Sequence, residues 1–342
     1  FYKIRFKRKL ITNLKTHTMK KFLNLAILIA LVPVLMLSSC KKDEEETPAV
    51  NKFEVLTDYM KSNNLDLNNV LDGWIIDADG VNAARSIEDY YFIDIRKEAD
   101  FKAGHINGAV NSTLNGVLDA ASNAGGKPII VVCYTGQTAG HAVCALRLSG
   151  YADAKVLKWG MSGWNNTFSG PWNSNVGGTA GDHTNWAAAP GDIAASVDYN
   201  KFPTISSSYD DGVNILNERV AALLANGFNT VTNANVFDDP ALYCINNYWA
   251  EADVTEYGNI KSAIRIQPLT LSGNEIKYLD PDKPVVTYCW TGQTSSMITA
   301  YLWVIGYDAK SLVFGANGMI YDDLHSHKWA EPTTNYDYIT TK

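Results

Sequence analysis

The stretch Cys133-Tyr134-Thr135-Gly136-Gln137-Thr138-Ala139 decides how this chain is read. Before it, Lys127-Pro128 leads into Ile129-Ile130-Val131-Val132, a β-branched apolar run that reads as a buried strand. After it, His141 to Leu148 reads as a helix stopped at Ser149-Gly150. A cysteine thus stands where a strand ends, ahead of a glycine-containing loop and a helix N-terminus. Backbone N–H groups and the positive end of a helix favour a thiolate there, so the spacing predicts a lowered Cys133 pKa and a nucleophile.

The pattern occurs twice. Lys283-Pro284-Val285-Val286-Thr287-Tyr288 leads into Cys289-Trp290-Thr291-Gly292-Gln293-Thr294-Ser295, followed by the apolar run Met297–Ile305 and Gly306. Both copies carry C-aromatic-T-G-Q-T, and the pairs Gly150-Tyr151 and Gly306-Tyr307 follow their cysteines at one distance. Matching flanks indicate a duplicated domain.

Charge is unevenly spread over the 342 residues. Residues 1–39 carry eight Lys/Arg and no acid, which leaves 21 bases against 36 acids in the remainder, a net charge of −15. A body that acidic argues against a nucleic-acid partner. The N-terminal bases belong to a targeting segment: Met19-Lys20-Lys21 opens it, Phe22 to Leu37 is apolar, and Leu37-Ser38-Ser39-Cys40 closes it. The run is short for a membrane span. Residues 19–39 are read as a lipoprotein signal peptide with Met19 as its start, residues 1–18 as upstream sequence, and residues 40–50 as a charged tether. The expected location is the cell envelope, on the outer membrane with surface exposure as one option, reached by lipid on Cys40 without a span.

Strands and helices alternate at short intervals along residues 51–164, which argues an α/β fold with a central parallel sheet. Residues 165–204 are rich in Gly, Asn, Ser, Ala and Pro and read as a linker in which Trp172 and Trp186 pack on a domain. Residues 205–342 repeat the first pattern in divergent form. Cys144 and Cys244 fall in apolar patterns and read as buried structural thiols. No C-x-x-C pair supports redox disulfide chemistry, and no Gly-rich phosphate motif appears. His325 and His327 lack a third ligand, so neither metal nor cofactor is expected.

Four features in order carry a resemblance: Phe92-Ile93-Asp94-Ile95-Arg96, Gly104-His105-Ile106-Asn107-Gly108-Ala109, the Cys133 loop, and Gly160-Met161-Ser162-Gly163-Trp164. Together they resemble the rhodanese family of sulfurtransferases in tandem, covering Leu71–Trp164 well and Phe228–Tyr321 less well. The resemblance implies two rhodanese-like domains, each a parallel sheet flanked by helices. It also implies sulfur transfer through a persulfide on Cys133 and Cys289, with thiosulfate or a persulfide as donor and a thiol or cyanide as acceptor. The amides of Tyr134, Thr135, Gly136, Gln137 and Thr138, and the matching Trp290, Thr291, Gly292, Gln293 and Thr294, would then hold the sulfur. Asp94, Arg96 and His105 take supporting roles, with Asn246, Tyr248 and Asn259 standing at their places in the second copy.

Related phosphatases close their loop with an arginine, and neither loop here contains one. The same lack of loop cations, on an acidic body, predicts weak capture of small anions and favours a neutral or protein-borne donor. The rival reading is a non-catalytic envelope binding module, motivated by the second copy's loss of the Asp, Arg and His equivalents.

Overall fold

The computed structural model describes residues 50–341, residue 192 excepted. The stretch read as a targeting segment, with the lipidation expected at Cys40, lies outside the described residues.

In chain order, the first half contains α1 (Lys52–Ser62), α2 (Leu67–Val70), β1 (Ile75–Ile76), α3 (Ala78–Ala84), β2 (Tyr91–Asp94), α4 (Glu98–Ala103), β3 (Val110–Asn111), α5 (Val117–Ala121), β4 (Ile129–Val132), α6 (Gln137–Leu148), β5 (Lys155–Leu157) and α7 (Met161–Trp164). Its five strands are all parallel in the order β1-β5-β4-β2-β3. After α8 (Gly170–Asn173) and β6 (Trp186–Ala187) come α9 (Gly212–Asn226), β7 (Thr230–Val231), α10 (Asn233–Asp238), β8 (Cys244–Asn247), α11 (Glu251–Tyr257), β9 (Asn259–Ile260), β10 (Ile264–Arg265), β11 (Val285–Tyr288), α12 (Gln293–Val304) and β12 (Ala309–Leu312). The second sheet is also parallel, in the order β7-β12-β11-β8-β10. Strand for strand, that is the order of the first.

Local chemistry accounts for the elements. Asn51 caps α1 by accepting from the Glu54 N–H, and Phe53, Leu56 and Met60 form its buried face. Asp211 caps α9 through the Asn214 N–H, with Ile215, Val220, Leu223 and Leu224 turned inward. Every residue of β4 and β11 is buried, as the unbroken apolar runs require of central parallel strands.

One core lies between the two sheets, formed by α1, α6, α9, α12 and the strand faces they cover; Met60, Leu146, Leu223 and Met297 all belong to it. Two smaller cores cover the outer faces, one around Phe92, Ile130 and Trp164, the other around Ile245, Tyr288 and Trp249. The described residues of 50–341 accordingly form one compact unit. Asp66, which caps α2, also accepts from the N–H groups of Leu271 (2.8 Å) and Ser272 (2.9 Å) in the other half. Burial opposes its charge, but the Ser272 side chain and these N–H groups outweigh it and hold the carboxyl below its ordinary pKa.

The segment read as a linker carries structure of its own. Trp172 on α8 is fully buried, and β6 pairs antiparallel with β9 in the second half. The C-terminal segment runs back to the first half. Ile339 exchanges backbone hydrogen bonds with His105, both 2.9 Å, and the Tyr336 N–H donates to the Trp164 carbonyl.

Candidate active site

The two cysteines follow β4 and β11 at the carboxyl ends of the sheets, where parallel α/β proteins place their ligands. Cys133 is 5% exposed and Cys289 2%. The Cys133 Sγ accepts from the N–H groups of Gly136 (3.1 Å) and Ala139 (3.4 Å). The Cys289 Sγ accepts from the Ser295 N–H (3.3 Å), the residue matching Ala139. Ala139 and Ser295 lie one step beyond the loop residues expected to serve. They donate because the first turn of a helix has N–H groups with no intrahelical partner.

Glycine sets the loop shape. Gly136 (φ +81) and Gly292 (φ +76) adopt the left-handed conformation that aims the chain into α6 and α12. Gly160 and Gly315 press against the loops: a Cβ there would lie 2.3 Å from the Cys133 carbonyl oxygen and 2.1 Å from that of Cys289. The following residues tie the loops down. The Met161 N–H donates to the Cys133 carbonyl (2.8 Å), as does the Ala316 N–H to Cys289 (3.0 Å).

The expected lowering of the Cys133 pKa is not found. Burial pushes the thiol above its ordinary value, the N–H groups of Ala139, Thr135 and Gly136 pull it back in part, and the Asp94 carboxylate adds to the rise. Desolvation of a thiolate outweighs the loop's partial charges, so the resting group is a thiol. Cys144 and Cys244 are buried free thiols, also pushed up by burial.

Asp94 and Arg96 sit together beneath the first loop. The arginine Nε and Nη2 donate to both carboxylate oxygens at 2.6–3.1 Å, and Nη2 also reaches the Gly104 carbonyl (2.6 Å). Its guanidinium lies 4.9 Å from the centre of the Tyr134 ring. His105 is buried, stacks on Phe101 (3.7 Å) and bonds the Phe101 carbonyl through Nδ1 (2.8 Å). It therefore belongs to the seam between α4 and the C-terminal segment. Thr135 Oγ1 accepts from the Gln137 side chain (3.2 Å), Thr291 Oγ1 accepts from the Gln293 N–H (3.2 Å), and Thr138 and Thr294 are half-buried on the first helical turns.

The second half differs, and strand register corrects the sequence pairing by one residue. Asp94 pairs with Val132, which precedes Cys133; Asn247, not Asn246, pairs with Tyr288, which precedes Cys289. Asp94 is thus matched by Asn247 and Arg96 by Trp249, not Tyr248. Where Arg96 lies over Tyr134, Trp249 stacks on Trp290 at 4.4 Å, and His327 stacks against Trp290 at 5.3 Å. An ion pair has become an aromatic stack.

Trp172 was expected to pack on a domain; its neighbours around the loops were not. Trp159, Trp172, Trp329 and Phe314 form one aromatic cluster with centroids 4.8–5.4 Å apart. Trp172 Nε1 donates to the Thr135 carbonyl (3.3 Å). Nothing in the sequence joins Trp159, Phe314 and Trp329 to Trp172, because they come from three separate segments. Among the described residues no cluster of His, Cys, Asp and Glu is suited to a metal.

The model of the rhodanese-like domain matches residues 77–167. The uncharacterized protein YibN of Escherichia coli K12 is 36% identical over 83 residues, 22% of this chain and 57% of YibN, so the match spans little more than half of that relative. The thiosulfate sulfurtransferase GlpE of Pseudomonas putida is 34% identical over 85 residues, 25% of this chain and 77% of GlpE. The solved structure of the 3-mercaptopyruvate sulfotransferase SseA from Escherichia coli aligns with 75% of this chain and 99% of its own at 15% identity and a TM-score of 0.28. Through residues 77–167 and the loop that follows β4, the chain belongs to the rhodanese family.

Proposed function

We propose that the protein is a sulfurtransferase that carries a sulfane sulfur on Cys133. The observation that carries this reading is the pair of loop N–H groups, of Gly136 and Ala139, on the Cys133 sulfur. In the first step the Cys133 thiolate attacks the outer sulfur of a donor. A new S–S bond forms, the donor's own bond to that sulfur breaks, and the donor leaves with the electron pair; thiosulfate would leave as sulfite. The N–H groups then face the persulfide's negative charge, as an oxyanion hole faces an oxygen. A thiol or cyanide attacks the outer sulfur, takes it, and returns the Cys133 thiolate. No net oxidation occurs over the cycle, and no cofactor takes part.

On the same reading the second half is a divergent rhodanese-like copy with Cys289 as a second sulfur carrier. Its matching strand order and the Ser295 N–H on the Cys289 sulfur support this. The whole would be an exported lipoprotein held to the envelope by Cys40, acting on a small or protein-borne thiol and not on nucleic acid. The test is thiocyanate release from thiosulfate and cyanide. Wild type is expected to turn over and the Cys133→Ser/Cys289→Ser protein to be inert. Equal rates in both would leave the non-catalytic binding module as the better reading.

A further inference from the structure

The side-chain oxygen of the glutamine in each C-aromatic-T-G-Q-T loop is spent on the opposite half, while the Gln137 amide nitrogen donates to Thr135 in its own loop. Gln137, 3% exposed, accepts through Oε1 from the Phe314 N–H at 2.9 Å. Gln293, 1% exposed, accepts through Oε1 from the Trp159 N–H at 2.9 Å. The exchange is reciprocal, because Trp159 and Phe314 hold the same place in their halves, directly before Gly160 and Gly315. Both adopt a left-handed backbone, at φ 65 and 61, which a residue with a side chain adopts at a cost. The glutamines also fill the space left by the loop glycines. A Cβ on Gly136 would lie 2.3 Å from Gln293 Oε1, and one on Gly292 would lie 2.2 Å from Gln137 Oε1.

We propose that Gln137 and Gln293 are crossed positioning residues, each holding the cysteine loop of the other half. The connection is short. Gln293 fixes the Trp159 turn, that turn delivers Gly160 and the Met161 N–H to the Cys133 carbonyl, and the Ser162 N–H reaches the Tyr134 carbonyl (3.1 Å). In mirror fashion Gln137 fixes the Phe314 turn, which delivers the Ala316 N–H to the Cys289 carbonyl and the Asn317 N–H to the Trp290 carbonyl (3.1 Å). Each thiol's setting is therefore completed from across the interface, and the two loops form one coupled unit. A disturbance of one loop, including an added sulfur atom, reaches the other through two hydrogen bonds.

The inference extends the sulfur-carrier reading to the coupling of its two sites, but its test uses thiol reactivity alone and stands if no sulfur is ever transferred. Iodoacetamide alkylation rates at Cys133 and Cys289 are read separately by peptide mass mapping of the full chain, across pH, in Gln137→Met and Gln293→Met. Methionine keeps the volume and removes the acceptor, and at Gln137 it also removes the amide donor to Thr135, a local loss that the crossed pattern must exceed. The coupling predicts that Gln293→Met changes the rate at Cys133 by about threefold to tenfold, the scale of one hydrogen bond, with a smaller change at Cys289. Gln137→Met gives the reverse. The milder Gln137→Asn and Gln293→Asn, too short to reach across, give the same crossed pattern if either methionine variant does not fold. Each glutamine acting first on its own loop, both cysteines changing equally, or neither changing would each overturn the proposal.

Discussion

Cys133 combines burial with main-chain donors, and the two act in opposite senses on its charge. Because burial prevails and the thiol's pKa lies above the ordinary value, reactivity must grow as pH rises through neutrality. Sulfur loading and alkylation at Cys133 are expected to climb steadily from pH 6 to pH 9; a rate independent of pH over that range would contradict the assignment. Asp94 and Arg96 form a buried ion pair under the same loop. Arg96→Ala leaves the carboxylate buried without its partner and is expected to lower stability by about 3–5 kcal/mol, measured by urea unfolding. The Arg96 charge is neutralised by Asp94, with only Nη1 left without a hydrogen-bond partner, so the net positive field on a small anion at the first loop is weak. A neutral persulfide donor is expected to load Cys133 faster than thiosulfate does; a strong thiosulfate preference in parallel rate measurements would refute this. At this scale placement was legible from spacing: Cys133 directly after a strand, the Gly136 turn ahead of a helix, and the Asp94–Arg96 pair. The sign of the Cys133 shift was not, because desolvation depends on what packs over the sulfur.

At the scale of elements, α6 and α12 approach each other where side chains are small. A Cβ on Gly140 would lie 2.0 Å from Ser296 Oγ and 3.0 Å from the Gln293 carbonyl. Gly140→Val is therefore expected to push the helices apart and cost about 1–3 kcal/mol, read as a lower urea midpoint; a neutral result would mean that the crossing is loose. Elements with a clear apolar run could be read from it, as in β4, β11 and α1. Inside the stretch read as a linker, α8 and β6 could not, and β8 was read out of register. Its last residues, Asn246 and Asn247, are polar, so the hydrophobic pattern ends two residues before the strand does. The turn Pro240–Leu242 supplies apolar residues just ahead of it, which draws the apparent strand toward the N-terminus. That is the physical origin of the one-residue error in matching Asp94 and Arg96 to the second half.

Across the whole molecule the two sheets share one core, so residues 50–341 are expected to unfold in a single transition followed by fluorescence and circular dichroism together. Two separated transitions would contradict the shared core. His141 lies in that interface on α6, 5.5 Å from the Phe228 ring, and burial lowers its pKa from 6.5 to about 4, against a smaller opposing effect of the Leu223 backbone. An unfolded histidine takes up a proton that the folded one refuses, so stability must fall as pH drops from 6.5 toward 4. Between pH 7 and pH 5 the loss is on the order of 2 kcal/mol, and His141→Gln should remove it. The same loss in His141→Gln would place its origin elsewhere. The crossed glutamines and the returning C-terminal segment could not be read from sequence, because the residues concerned are joined only by the docking of the halves.

Incubation of the full protein with a sulfur donor, followed by intact and peptide mass measurement, tests the central claim most directly. The account predicts a gain of one sulfur atom on the Cys133 peptide, removed by cyanide and absent from Cys133→Ser. An unchanged mass at Cys133 under conditions where the thiol can still be alkylated would contradict it.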